Sequence, residues 1–359
     1  MINSNIKIFG VALIIVLAGL GYFAANKGAQ IKEEIPVALK TIDFGYQPLW
    51  TGPASITEVM RKDKTLVEEF KKLGLEIKWR PFLKGADVNV ALQARGEEGL
   101  EFGLGGDMPT TTVIANLDVE VFSLIEGGRV WIISKNYDTV AQLKGKKIGY
   151  AFGSNAHYFL LKTLSQNNIS EKDVTLVQLD VPSMPQALEN NEIDAFSAWE
   201  PTPTLAIKNF PSFKRIHSGR SSGYLYAKGD FAKANPEALK HIIASEIRAI
   251  KYIQKSQENL DRTSGWAIDA GTALKGSSLG LTVEEYDKIV SDGLPGSIYI
   301  EDKYYDDGGI LKEEFELLKT LGKVPQSAIW SEAKAKIKRE LVKEVLSNPK
   351  KYRLEESPV

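Results

Sequence analysis

Strand-like and helix-like stretches alternate along most of this 359-residue chain. That alternation restricts it to an α/β fold with a mainly parallel, doubly wound sheet. Ile35 to Lys40 reads as a first strand and Thr57 to Leu73 as a helix, with Gly74 as its C-terminal stop. Leu75, Ile77 and Trp79 alternate with Glu76 and Lys78, the period of two that marks a strand with one buried face. A helix over Asp87 to Arg95, a strand over Leu100 to Leu104, a short helix over Pro109 to Asn116 and a strand over Val119 to Ile125 complete the first set. The region from Val130 to Ser218 repeats the logic, with strands near Val130 to Ser134, Lys147 to Phe152, Val174 to Leu179 and Asp194 to Trp199. Beyond a last strand at Tyr224 to Lys228 the period becomes helical. Leu239, Ile242, Ile243, Ile247, Ile250 and Ile253 share one face, and helices follow near Val283 to Val290, Leu311 to Leu321 and Ala333 to Leu346. Two α/β lobes with a helical C-terminal region are expected, and no period of 20 to 50 residues points to a repeat architecture.

Lys and Arg number 45 against 46 Asp and Glu, a net charge of -1. No basic footprint for nucleic acid is present, so DNA and RNA are not expected partners. The chain has no cysteine, which removes disulfides, thiolate zinc sites, iron–sulfur clusters, cysteine nucleophiles and a lipid-attachment cysteine. From Ile8 to Ala25 no residue is charged, and Asn26, Lys27 and polar sequence follow. Such a run is longer than a typical signal-peptide core and just reaches what a helix needs to cross about 30 Å of hydrocarbon. Export is expected, by a cleaved signal peptide or with the segment kept as a membrane anchor. Cuts after Ala24 or Ala25 would place Tyr22 or Phe23 where a small residue is wanted, and only Gly19 with Gly21 fits.

In open α/β sheets, ligands sit beyond the carboxyl ends of strands, and four of the loops there are unusual. The first, Phe44 to Pro53, carries Tyr46, Gln47 and Trp50, whose rings can face a ligand or fill the lobe core. The second, Phe102 to Thr110, passes through glycines and Asp107-Met108 to a helix start at Pro109. A helix start offers free N–H groups to an anion, but Asp107 as N-cap would satisfy them itself. The third, Tyr150 to Tyr158, is a better anion site. Gly153 lets the backbone approach, Ser154 and Asn155 add polar groups, and His157 can add a donor; the alternative is a plain N-cap with a surface histidine. The fourth ends a strand at Trp199-Glu200-Pro201, an aromatic face and a carboxylate suited to an amine, or else a core ring and a helix-start acid.

Catalysis finds little support. His157, His217 and His241 are scattered, and the chain has no Gly-x-Ser-x-Gly elbow, His-x-x-x-His pair or phosphate-cradling Gly-x-x-x-x-Gly-Lys-Ser/Thr. Gly103-Leu104-Gly105-Gly106 begins a dinucleotide fingerprint that Asp107-Met108 does not complete. No cofactor, metal or catalytic residue is expected, and binding without chemistry fits better.

Phe82-Leu83-Lys84-Gly85 with Val88-Asn89-Val90-Ala91-Leu92, the Gly106-Asp107-Met108-Pro109 turn, Leu143 to Lys147, Gly153 to Tyr158 and Ile193 to Pro201 occur in that order. In this combination the sequence resembles the nitrate, sulfonate and taurine group of ABC transporter substrate-binding proteins, most closely the aliphatic-sulfonate branch. The resemblance implies the two-lobed type 2 periplasmic-binding fold, with the ligand in the cleft and chain crossings near Gly128 to Val130 and Ser218 to Ser222. Residues 1–30 would then be the signal peptide or anchor and linker, 31–129 the first part of lobe 1, 130–221 lobe 2, and 222–359 the second part of lobe 1 with the helical region. It further implies a cleft lined by Tyr46, Gln47, Trp50, Asp107, Met108, Ser154, Asn155, His157, Trp199 and Glu200, with Ser221 and Tyr224 near the second crossing. The expected ligand is a small organic anion, an aliphatic sulfonate before nitrate, bicarbonate or a pyrimidine. The expected partners are an ABC permease and its ATPase, at the periplasmic or extracytoplasmic face of the membrane. The rivals are an anchored sensor and an enzyme on this fold, although the enzymatic relatives feature cysteines that are absent here.

Overall fold

The computed structural model describes residues 38–126 and 128–359, so the apolar run at 8–25 and positions 35–37 of the expected first strand lie outside the described residues. The chain runs β1 (Lys40–Tyr46), α1 (Thr51–Lys62), α2 (Lys64–Lys72), β2 (Leu75–Pro81), α3 (Gly85–Gln93), β3 (Phe102–Gly106), α4 (Asp107–Asn116) and β4 (Val119–Glu126). It continues through β5 (Arg129–Ser134), β6 (Lys147–Tyr150), α5 (Asn155–Gln166), β7 (Thr175–Gln178), α6 (Met184–Glu189), β8 (Ala195–Trp199), α7 (Thr202–Asn209), β9 (Lys214–Arg220) and β10 (Gly223–Lys228). Helices α8 (Gly229–Ala234), α9 (Pro236–Lys255), α10 (Gln257–Lys275), α11 (Val283–Gly293), α12 (Ile310–Thr320), α13 (Trp330–Lys334) and α14 (Glu340–Ser347) complete it.

The strands form two five-stranded sheets, ordered β2-β1-β3-β10-β4 and β7-β6-β8-β5-β9. Within the first, β1 is parallel to β2 and β3, while β10 runs antiparallel to β3 and β4. The second repeats the scheme, with β6 parallel to β7 and β8, and β5 antiparallel to β8 and β9. The chain therefore crosses between sheets after β4 and again between Arg220 and Gly223. The crossing segments are tied together, because the Ser221 N–H donates to the Gly128 carbonyl at 2.9 Å.

Several elements differ from the sequence expectation; the helix expected over Ala333 to Leu346 is two, α13 and α14, and α10 lies where none was expected. The first described strand is Lys40–Tyr46. Phe44 and Tyr46, expected in a loop, are strand residues whose rings lie 4.5 and 6.1 Å from that of Trp79 on β2. The helix expected from Thr57 to Leu73 is broken at Asp63, whose extended backbone lets its carboxylate accept the Thr65 and Leu66 N–H groups and cap α2. The first half starts early, at Thr51, with Pro53 in the first turn where no N–H is needed. Strand β9, Lys-Arg-Ile-His-Ser-Gly-Arg, is an edge strand with mostly exposed or half-buried side chains and so carries no alternating apolar signal.

The face predicted on α9 is buried, and this helix packs on α1, α2, α10, α14 and β4. Helix α12 packs on α4. Among the described residues no helix is long and apolar enough to cross a membrane.

Candidate ligand-binding site

Three helix starts meet where the carboxyl ends of the inner strands of both sheets face each other. Gly85 and Ala86 open α3, Gly106 precedes α4, and Ser154 and Asn155 open α5; with Gln47, Trp50, Pro109, Phe152 and Trp199 they line one cavity. Gly153 adopts a left-handed φ of 71°, which turns the chain from β6 into α5. The Ser154 hydroxyl donates to the Ala151 carbonyl at 2.7 Å and accepts the His157 N–H at 3.2 Å. That cap leaves the N–H groups of Asn155 and Ala156, the first in the helix, with no intrahelical acceptor, at the positive end of the helix dipole.

From the first sheet, Gln47 is fixed by donating its amide to the Leu104 carbonyl at 3.0 Å. The Trp50 indole packs over Gly223, where a Cβ would lie 2.8 Å from its ring. Across the cleft, Asn155 presses on Gly106 so closely that a Cβ there would lie 1.8 Å from Oδ1 and 2.2 Å from Nδ2. The space left is about 10 Å³, room for roughly one water. An anion therefore enters by moving Asn155 off Gly106 or by parting the sheets. Behind the lining, buried Asn89 donates to the Pro109 carbonyl at 2.9 Å and accepts the Tyr226 hydroxyl at 2.8 Å, holding the α4 start in place.

Ion pairs span the same gap. Lys84 meets Asp180 at 2.9 Å, and Glu313 on α12 accepts Lys162 and the Tyr158 hydroxyl of α5, each at 2.5 Å. Lys84 is the cation beside the cavity, and its pairing with Asp180 holds its pKa above the ordinary lysine value.

Of the residues expected in the cleft, the structure brings together Gln47, Trp50, Ser154, Asn155 and Trp199. Tyr46 turns away, its ring under Arg61 and its hydroxyl 2.7 Å from that guanidinium. Met108 is fully buried among apolar side chains. His157 is buried, and its Nδ1 accepts the Gly153 N–H at 3.4 Å rather than donating; burial pushes its pKa down to about 4, so the ring is neutral. Glu200 is a buried carboxylate pushed up by desolvation that accepts the Thr204 N–H at 3.2 Å. It faces a different cavity, of about 340 Å³, lined also by Trp50, Arg129, Trp131 and Arg215.

Asp107, Ser221 and Tyr224 belong to the crossing rather than the lining. The Asp107 carboxylate accepts the Ser222 N–H at 2.8 Å and the Tyr224 hydroxyl at 3.2 Å, so it holds the second crossing to α4. The Ser221 hydroxyl is buried there with no partner among the described residues. Burial raises the Asp107 pKa to about 7, against the pull of its two donors. Burial and the Asp107 charge likewise push Glu314 far above the carboxylate range.

Unfolded, the Asp107 carboxyl loses its proton near pH 4, whereas folded it does so only near 7. Between those values the folded chain holds more protons, so its stabilisation is complete at acid pH and is lost as pH rises through 7. Asp107→Asn keeps an acceptor without the charge. Urea unfolding is expected to find the variant gaining on the parent by about 1–3 kcal/mol at pH 8 relative to pH 5. An unchanged difference across that range would show that Asp107 is ionised throughout.

The lining that sequence reading missed is Lys84, Gly85, Ala86, Gly106, Pro109 and Phe152. For the first three a partial signal was present, since Gly85 opens a helix after strand β2 as Gly153 does after β6. Among the described residues no three His, Asp or Glu side chains converge as a metal site.

A family model described as NMT1/THI5 like matches residues 70–259. The putative aliphatic sulfonates-binding protein of Bacillus subtilis is 28% identical over 266 residues, covering 71% of this chain and 74% of that protein. The periplasmic aliphatic sulphonate binding protein of Escherichia coli superposes with a TM-score of 0.65 at 19% identity, over 84% of this chain and 99% of its own. The alkanesulfonate-binding protein of Xanthomonas axonopodis pv. citri, bound to MOPS, gives 0.63 at 19% identity over 82% and 97%. These likenesses fix the fold as the two-sheet α/β fold of periplasmic binding proteins.

Proposed function

From the premise that the chain belongs to the NMT1/THI5-like family, we propose that it is the extracytoplasmic solute-binding component of an ABC importer. It captures a small organic anion, an aliphatic sulfonate, in the cleft between the two sheets. The observation that carries this reading is the convergence of the α3, α4 and α5 starts on one cavity walled by Trp50 and Trp199. Backbone N–H groups from different directions suit the three oxygens of a sulfonate, and the flat rings suit the alkyl group beyond it. The Bacillus relative, named for aliphatic sulfonates, supports the same ligand class.

Binding works by population shift. Of the described residues, 39–129 and 222–359 form one lobe and 130–221 the other, with the hinge at the tied crossings. A ligand that touches both lobes stabilises the closed form only by the contacts it makes there and not in the open one. The closed form then docks on a membrane permease whose ATPase drives transport, while the apolar segment at 8–25 exports the chain or holds it at the membrane.

Binding without chemistry is supported by how the polar groups of the α5 start are used. The Ser154 hydroxyl and His157 Nδ1 are each engaged with backbone groups, so these two do not form a nucleophile and base pair.

The test is thermal unfolding of the purified chain against taurine, longer alkanesulfonates, aromatic sulfonates, nitrate, bicarbonate, carboxylates and pyrimidines. A sulfonate at 100 times its Kd is expected to stabilise by about 2.7 kcal/mol. The stabilisation is expected to vanish when Ser154 and Asn155 are both changed to leucine. No response to any sulfonate sinks the assignment, and turnover of a bound sulfonate sinks the non-enzymatic part.

A further inference from the structure

We propose that Tyr158 is a positioning residue for ligand capture, a side chain of one lobe seated in the core of the other that holds the two together before a ligand arrives. The inference rests on the two-lobed binding reading given above and adds to it a source of closure outside the ligand cavity. Helix α5 belongs to 130–221, and its Leu160 and Leu164 pack into that lobe's own apolar cluster with Ile132, Ile148 and Ala195. Tyr158 lies two positions before Leu160, about 200° around the helix. It joins a different cluster, with Val88, Met108, Tyr224, Leu311 and Phe315, and every other described member of that cluster lies in 39–129 or 222–359.

The Tyr158 ring is 7% exposed, so parting the lobes withdraws it into water, and aromatic rings are among the costliest apolar groups to expose. Its hydroxyl needs an acceptor in that apolar setting, and Glu313 on α12 supplies one at 2.5 Å. The same carboxylate takes Lys162, one turn further along α5, at 2.5 Å. Burial tends to raise the Glu313 pKa, but the hydrogen bonds from Lys162 and Tyr158 bring it below the ordinary value, so the acceptor is charged. The Lys162 and Glu313 side chains are 43% and 38% exposed, so their ion pair alone adds little. The buried ring and its hydroxyl carry the contact. Beyond α12, Lys323 Nζ stands 5.0 Å from the centre of the Phe152 ring, in the loop that leads into α5. One segment of the first lobe thus grips the helix start whose N–H groups face the cavity. Neither Tyr158 nor Glu313 lines that cavity, so the grip does not depend on what fills it. Because apparent affinity scales with the population of the competent form, such a grip strengthens binding of any anion that enters.

The cysteine-free chain accepts one spin label on each lobe, at Val90→Cys and Gln186→Cys, both exposed positions. Without ligand, the distances between labels in the full chain are expected to be mostly the short one that the structure gives. Tyr158→Ala is expected to move most of the distribution to a longer distance, and Tyr158→Phe, which keeps the ring, to move it much less. Glu313→Lys removes the acceptor and puts like charge beside Lys162, and is expected to act in the same direction as Tyr158→Ala. It alters a side chain outside the core, so its result stands even if Tyr158→Ala fails to fold. Adding Lys162→Glu to Glu313→Lys is expected to restore the short distance, a rescue that packing within one lobe would not give. Calorimetry with butanesulfonate is expected to show affinity at least about tenfold weaker in Tyr158→Ala and at least about fivefold weaker in Glu313→Lys. A parent that is at the long distance without ligand, or a distribution unchanged in Glu313→Lys and in folded Tyr158→Ala, overturns the inference. So does a lengthened distance with parent-like affinity. If butanesulfonate binds and the distances do not move, only this inference falls. If no sulfonate binds, the proposed ligand falls, and the distances, read without ligand, still decide this inference.

Discussion

Gly106→Val is expected to weaken sulfonate binding by at least about 100-fold while the chain still folds. Gly106 is extended, with φ of -70°, so valine fits its backbone. The obstacle is across the cleft, where the new Cβ would stand 1.8 Å from Asn155 Oδ1, with Cγ and Nδ2 of the same residue within 2.3 Å. Asn155 is the first residue of α5 and most of its surface is buried, so it cannot simply swing into solvent. The branched side chain therefore holds the α5 start away from the first sheet. Because apparent affinity scales with the population of the competent form, a lobe pair held open loses binding in proportion. Calorimetry reads the affinity, and small-angle scattering reads the wider shape. Gly265→Val is the control, since a Cβ there meets nothing within 4 Å, and it is expected to bind as the parent does. Parent-like affinity in Gly106→Val would place the binding site elsewhere.

Much of this site is written in a local pattern: an apolar strand, a glycine, then a helix start. That pattern identifies the α5 start at Gly153-Ser154-Asn155, whereas Gly85 opens α3 after a strand, β2, whose charged and half-exposed side chains hide it. Residue type misled where burial changes a group's role. Asp107 looked like a ligand contact or a cap, yet its carboxylate accepts from Ser222 and Tyr224, more than a hundred positions along the chain. His157 looked like a donor, but its Nδ1 accepts a backbone N–H four residues before it, a matter of ring orientation that spacing does not encode. Periodicity located α9 because one side of it is packed against several elements, and missed β9 because an edge strand with wet side chains has no period to read. The break between α1 and α2 depends on a partner equally far away.

That partner is Arg248, and its removal is expected to destabilise the fold strongly. Arg248 is 1% exposed, and its guanidinium donates to Asp63 Oδ2 at 2.6 and 3.0 Å and to the Tyr352 carbonyl at 2.8 Å. The same Asp63 carboxylate caps α2 through its other oxygen. One side chain on α9 thus joins the α1–α2 break to the C-terminal segment beneath the first sheet. Arg248→Ala leaves the Asp63 side chain buried with only backbone donors and leaves the Tyr352 carbonyl unpaired, so denaturant unfolding is expected to show a loss of about 3–5 kcal/mol. Asp63→Ala is expected to cost a similar amount, since it removes a cap and strands a buried guanidinium. The double change to Asp63→Asn with Arg248→Met removes both charges while keeping volume and a cap, and is expected to recover more than half of the single loss, because desolvating the pair offsets most of its attraction. None of these groups lines the ligand cavity, so sulfonate affinity below the unfolding transition is expected to match the parent's. A loss under about 1 kcal/mol for Arg248→Ala would mean that water reaches the pair. A loss of affinity without a loss of stability would mean that the C-terminal segment helps to set the lobe angle.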